Sequence, residues 1–156
     1  IIQMPKGANL DGGDVVFFDD KYLIGRSTRT NKAGAEFLAS HVNKDGYDVE
    51  FIEVPNSTLH LTTVCSSPRK GTIIAAEGHL KENQISKFAE EIIWIPNNES
   101  YASNTIGYSN DRLIIAAGFS KTKNILQNEG FKLMSVDMAP IMQADGSLTC
   151  LSVYTS

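Results

Sequence analysis

The 156-residue chain is 42% hydrophobic and 21% charged, the balance of an ordinary globular domain long enough to bury its own core. Its net charge of −4 comes without a basic, aromatic-laced stripe, which argues against a nucleic-acid partner, and no apolar run approaches the roughly 20 residues that span a bilayer. Two cysteines and three histidines are too few and too scattered for a disulfide framework or zinc spacing, so no zinc site is expected and the thiols point to a reducing cytoplasm.

The start, Ile1-Ile2-Gln3-Met4-Pro5, has neither initiator methionine nor basic targeting segment, and the chain is read as the later part of a longer enzyme. Asp11-Gly12-Gly13-Asp14 then leads into Val15 to Phe18, which reads as a buried strand. Asp19-Asp20 turn it into a second strand at Tyr22 to Gly25. Thr30 or Asn31 caps a helix running to about Val42, with Ala35, Phe37, Leu38 and Val42 as its apolar face. Asp45-Gly46 stops it, and a third strand over 49–54 ends at Pro55.

The same order recurs. Strands are predicted at 59–64 and 72–75, a helix at 82–91 and a strand at 92–95. A third round has strands at 103–108 and 113–116 about a turn at Asn110-Asp111, a helix near 121–128 and a strand at 131–136. A short segment at 138–143 leads to a last strand, Gly146 to Tyr154, that holds Cys150. The fold class is therefore α/β, built of strand–strand–helix–strand units repeated three times with a fourth begun, and read as one domain over 1–156. Asp11, His60, Asn104 and Cys150 each open a unit, 49, 44 and 46 residues apart. If such units close around an axis, equivalent positions converge, and an acid, a histidine and a cysteine meet there.

That convergence selects the candidates. A thiol attacks as thiolate, and residue type alone favours a buried, inert cysteine, but Cys150 shares its repeat position with His60 and Asp11. Cys65 shares nothing and is read as core. A carboxylate at Asp11 would hold the His60 imidazole in one tautomer, and Asp14 is the alternative for that task. Arg29, in a polar loop before the first helix, is either a solvated charge or a fork for a carboxylate. His41 sits late in a helix and His79 in a glycine-flanked loop, and neither is assigned chemistry.

Five segments together resemble dimethylarginine dimethylaminohydrolase, a member of the guanidine-modifying pentein superfamily. They are Leu10-Asp11-Gly12-Gly13-Asp14-Val15, the Ile24 to Ala35 loop with Arg29-Thr30-Asn31, Leu59-His60-Leu61, Glu99 to Asn104, and Asp145 to Ser152 around Thr149-Cys150. The resemblance implies an α/β-propeller of five ββαβ units, of which about three are present here. It implies Cys150 as nucleophile, His60 as general acid/base, Asp11 as the acid orienting it, and Arg29 and the Ala144 backbone carbonyl as contacts to the amino-acid end of the substrate. The implied ligand is a small guanidine, a methylated arginine, with no cofactor. A homodimer is left open. Arginine deiminases and amidinotransferases of the superfamily carry an aspartate two residues after the histidine; here it is Thr62, which favours dimethylarginine. The resemblance also places guanidinium-pinning acids in two upstream units, about 90–100 residues at this repeat length, so the piece alone is expected to be inactive. The alternatives are an arginine deiminase-like or other guanidine hydrolase, an amidinotransferase, or a noncatalytic pentein-like binding module.

Overall fold

The computed structural model describes residues 2–109 and 111–153, and contacts divide the chain into two compact units, Ile1–Thr62 and Thr63–Ser156. In the first, a 3-10 turn at Gly12–Asp14 leads into β1 (Val15–Phe18) and β2 (Lys21–Arg26), then α1 (Lys32–Val42) and β3 (Asp48–Glu53). β1 runs antiparallel to β2, with Val15 opposite Ile24, while β3 runs parallel to β2, with Lys21 opposite Asp48. A parallel neighbour needs a crossover, and α1 supplies it. The helix starts where Asn31 Oδ1 accepts the Gly34 amide at 2.9 Å, as expected of an N-cap. Its buried face is Ala35 and Ala39 against Ile24, with Leu10, Leu38 and Phe51 packed around them. Phe37 is not on that face; it packs against the His41 ring, 4.5 Å between centroids.

The second unit holds two more sheets of the same design. β4 (Cys65–Arg69) and β5 (Thr72–Ala76) are antiparallel, and β6 (Glu91–Ile95) is parallel to β5. β7 (Ile106–Tyr108), β8 (Arg112–Ala116) and β9 (Lys132–Val136) repeat the arrangement, with α3 (Ser120–Asn128) as crossover and α4 (Ala139–Met142) following. The core shared by these sheets is Ile74, Ile93, Ile95, Leu113 and Ile115, closed by Leu126 and Phe131. The α/β fold of repeated ββαβ units read from the sequence is therefore the observed one.

Four expected elements differ, one of them the strand at 103–108, which is shortened to β7 because the 3-10 turn Asn97–Ser103 runs into its first residue and Asn104 caps that turn. The helix at 82–91 is one turn, α2 (Glu82–Ile85), because the amides of Glu90 and Glu91 both bond to Gly71 O and Glu91 already pairs with Thr72. The strand at 59–64 does not form: a 3-10 turn, Leu61–Thr63, follows His60, and the strand begins at Cys65. The Leu61 amide is taken by the Asp14 carboxylate at 2.9 Å, so it is lost to a ladder. The last strand is likewise a 3-10 turn, Thr149–Leu151, with Cys150, Leu151 and Ser152 amides bonded three residues back and Ser152 Oγ donating to Leu148 O at 2.7 Å. Tyr154, at the end of that expected strand, and Asn110, of the expected turn, lie outside the described residues. Among the described residues no helix is long and apolar enough to cross a membrane.

The start of α3 has no side-chain cap of its own. Glu99, 8% exposed, supplies one from a distance: it accepts from Thr122 N and Thr122 Oγ1, both at 2.7 Å, and from Lys121 N at 3.3 Å. Burial pushes the Glu99 carboxyl up, but the Thr122 and Lys121 donors outweigh it and leave the group below its ordinary 4.5. A carboxyl depressed by folding stabilises the protein above its unfolded value, and that contribution is lost as pH falls through the lower, folded one. Glu99→Gln is expected to cost about 1–2 kcal/mol in urea unfolding near neutral pH. The gap to the parent should close as the pH is taken below the ordinary 4.5.

Candidate active site

Asp11 caps the 3-10 turn Gly12–Asp14, in extended conformation (φ −109, ψ 133), and its Oδ1 accepts the Gly13 amide at 3.0 Å. The Gly13 bond fixes the carboxylate, whose second oxygen, Oδ2, lies 3.1 Å from His60 Nε2. The imidazole is 9% exposed and lies over Gly13, where a Cβ would stand 2.7 Å from ring Cγ and 2.8 Å from Nδ1. Glycine is required at 13 for that approach. Arg29 Nη1 stands 3.7 Å from the same Asp11 oxygen, with the arginine side chain about half exposed. The Gly13 amide is the main cause holding the Asp11 carboxyl below the usual carboxylate range; burial opposes it, and His60 and Arg29 reinforce it. The first unit thus brings together Asp11, His60 and Arg29.

Asp14, the alternative acid, is engaged elsewhere. It is fully buried and accepts from Ser27 Oγ at 2.6 Å, Thr30 Oγ1 at 2.7 Å and Leu61 N at 2.9 Å.

Cys150 and Ala144 belong to the second unit. Cys150 is exposed on the 3-10 turn, its sulfur 3.4 Å from Ser147 Oγ. That turn is held by a reciprocal pair missed as functional in the sequence: Asn104 Nδ2 donates to Thr149 Oγ1 at 2.8 Å, and Thr149 N donates to Asn104 Oδ1 at 3.1 Å. The signal was there, since Asn104 shares the repeat phase of Asp11, His60 and Cys150. Tyr101 adds a second tether, its hydroxyl donating to Gly146 O at 2.8 Å, and burial followed by the nearby Cys150 raises the Tyr101 pKa. Ala144 is exposed just beyond α4, its amide bonded to Ile141 O at 3.0 Å. Cys65 is core, as expected: 1% exposed, with burial pushing its thiol up to about 12. Among the described residues no three histidine, cysteine or carboxylate side chains gather as a metal would need.

The chain has known relatives. The family model described as arginine deiminase matches residues 3–104. The chain belongs to the arginine deiminase family. It is 30% identical over 144 residues to N(G),N(G)-dimethylarginine dimethylaminohydrolase of Pseudomonas aeruginosa, covering 92% of this chain and 55% of that protein. The enzyme of the same name from Streptomyces coelicolor is 31% identical over 144 residues, covering 92% and 54%. The Pseudomonas aeruginosa structure, a cysteine-to-serine mutant complexed with citrulline, superposes with a TM-score of 0.84 at 28% identity over 94% of this chain and 56% of that one. The chain thus spans about half the length of the curated relatives it matches. Its repeated ββαβ units have the fold of these guanidine-modifying propeller enzymes.

Because the imidazole rests on the Gly13 α-carbon, Gly13→Ala is expected to push the ring off Asp11. The cost should be roughly 1–3 kcal/mol in unfolding free energy, as for other overpacked sites. The accompanying change in the His60 ring signals by NMR separates ring displacement from general loss of stability.

Proposed function

We propose that this chain carries the reacting groups of a hydrolase that cleaves the C–N bond of a methylated arginine guanidinium, giving citrulline and dimethylamine or methylamine. The observation that carries the reading is the Asp11–His60 pair, Oδ2 to Nε2 at 3.1 Å, beside the Arg29 guanidinium in a member of this family. The relatives' names and the citrulline complex of one of them support the substrate class.

In this reading the delocalised charge of a guanidinium makes its central carbon a poor electrophile, so the attack needs a thiolate and a held cation. The Cys150 sulfur forms a bond to that carbon. The C–N bond to the methylated nitrogen then breaks, and protonated His60 gives its proton to the departing amine. The product of this half is a thiouronium on Cys150. Neutral His60 takes one proton from water as the oxygen adds to the same carbon; the remaining hydroxyl proton passes to solvent as the C–S bond breaks, releasing citrulline and returning the thiolate. Asp11 holds the imidazole in place for both transfers. Arg29 takes the substrate α-carboxylate, and the Ala144 carbonyl takes its ammonium end. The three units belong, in this proposal, to a single propeller domain of five.

A second reading, arginine itself as substrate, has the family model in its favour. Thr62 stands against it: the residue two positions after His60 is a hydroxyl-bearing side chain in the 3-10 turn, where a second carboxylate would grip an unsubstituted guanidinium. Dimethylarginine and arginine offered separately to the whole protein decide between them. Citrulline release should be faster from dimethylarginine, and the reverse order would give the substrate to arginine.

Cys150→Ser and His60→Ala should each remove turnover, by at least about a thousandfold as for other members of nucleophile–base pairs. Iodoacetamide should label Cys150 and not Cys65, with activity lost in step with labelling. Turnover that survives full labelling of Cys150 would end the assignment.

A further inference from the structure

Asp14 lies outside the reaction just described, yet it is the most buried charged side chain near it, at 0% exposed. Its three bonds do not end on one neighbour. Leu61 N, on Oδ1 at 2.9 Å, belongs to the peptide unit that His60 begins. Thr30 Oγ1 donates to Oδ2 at 2.7 Å and accepts the Asp11 amide at 3.0 Å. Ser27 Oγ donates to Oδ2 at 2.6 Å and accepts the amides of Arg29 at 3.0 Å and Thr30 at 3.2 Å. One carboxylate therefore sits one bond, or one hydroxyl, from the backbone of each of Asp11, Arg29 and His60. We propose that Asp14 is the positioning residue of this site, fixing the acid, the imidazole and the carboxylate-binding arginine in one frame.

The direction of the bonds is forced. A hydroxyl has one proton to give. Ser27 Oγ already receives two amides and Thr30 Oγ1 one, so each spends its proton on Asp14. The carboxylate is the terminal acceptor of the network, and all three donors point at it. An amide at position 14 cannot take that role. With its NH2 on the Oδ2 side it confronts two hydroxyl donors; with its NH2 on the Oδ1 side it confronts the Leu61 amide. Close packing leaves no room to relax, since a Cβ added at Gly25 would already stand 3.1 Å from Asp14 Oδ1 and 2.9 Å from Leu61 Cβ.

The proposal rests on the functional reading above, and its test separates the two. Steady-state citrulline release by the whole protein is measured with dimethylarginine for the parent, Ser27→Ala, Thr30→Val, Thr30→Ser and Asp14→Asn. Ser27→Ala frees the Arg29 loop and should raise KM about tenfold with kcat nearly unchanged, the loss of about one hydrogen bond's worth of binding. Thr30→Val frees Asp11 and should lower kcat about tenfold and shift the kcat–pH profile, and Thr30→Ser should restore both. Asp14→Asn should do both at once. Variants that lower kcat and KM-dependent rates only in proportion to the folded fraction, by circular dichroism, would make Asp14 mere scaffolding and overturn the proposal, as would an Asp14→Asn protein with parental kinetics. If the parent itself releases no citrulline, the functional reading fails, and the frame is then read from the His60 ring by NMR. There Thr30→Val should displace the His60 ring signals and Ser27→Ala should not; equal or absent effects overturn it.

Discussion

A carboxylate shut away from water must find its compensation in fixed donors, and the first unit is arranged around that requirement. Moving such a group out of water costs several kcal/mol even after relaxation, and charge-assisted hydrogen bonds offset it only when the donors are already in place. At Asp14 the donors are Ser27, Thr30 and the Leu61 amide. They come from the loop after β2 and from the segment after β3, so satisfying one side chain draws together stretches 13, 16 and 47 residues away along the chain. Asp11, Arg29 and His60, the residues proposed to carry the chemistry, are neighbours of those donors. Their geometry follows from the burial of a group fully shut away from solvent.

The same repeat position is used differently in each ββαβ repeat. In the first repeat it is Asp11, fixed by a turn cap; in the second, His60, fixed by the peptide bond that follows it. In the third it is Asn104, 1% exposed, which spends both ends of its amide on Thr149. The acid and the histidine face each other at 3.1 Å, while the asparagine is a clamp on the residue preceding Cys150. The same repeat phase is thus given to a carboxylate, an imidazole or a structural amide, with a 3-10 turn following the first two and preceding the third.

The strands were legible because their signal is local. The central strands β2, β5 and β8 carry buried apolar runs, Leu23-Ile24, Ile73-Ile74 and Leu113 with Ile115, each bounded by a turn, and each appears within a residue or two of its expected limits. In two of the elements that differed, a distant group takes the backbone amide. Leu59 to Val64 has a strand's composition, but Asp14 claims the Leu61 amide from 47 residues away. Glu82 to Glu91 has a helix's spacing, but Gly71 claims two amides at its end. Around Cys150 the serines compete, Ser152 bonding Leu148 O, and a turn forms in place of a strand. Composition cannot register such claims, because each depends on the fold already made.

Asp11 and Asp14 show the limit most sharply. Two acids bracket two glycines, and either reads as the partner of an imidazole. What separates them is the 3-10 turn between them. The turn leaves Asp11 outside it as the cap, one oxygen on Gly13 and the other on His60, and carries Asp14 to its last position, where the chain enters β1 and the side chain is buried against β2. Gly13 admits the imidazole on the capping side, and Gly25 admits the Asp14 carboxylate on the other. A residue with a Cβ at either glycine would crowd the acid or its partner, so the glycines, more than the acids, decide which carboxylate meets the ring. The division of labour between two identical side chains is therefore written in the two residues that have none.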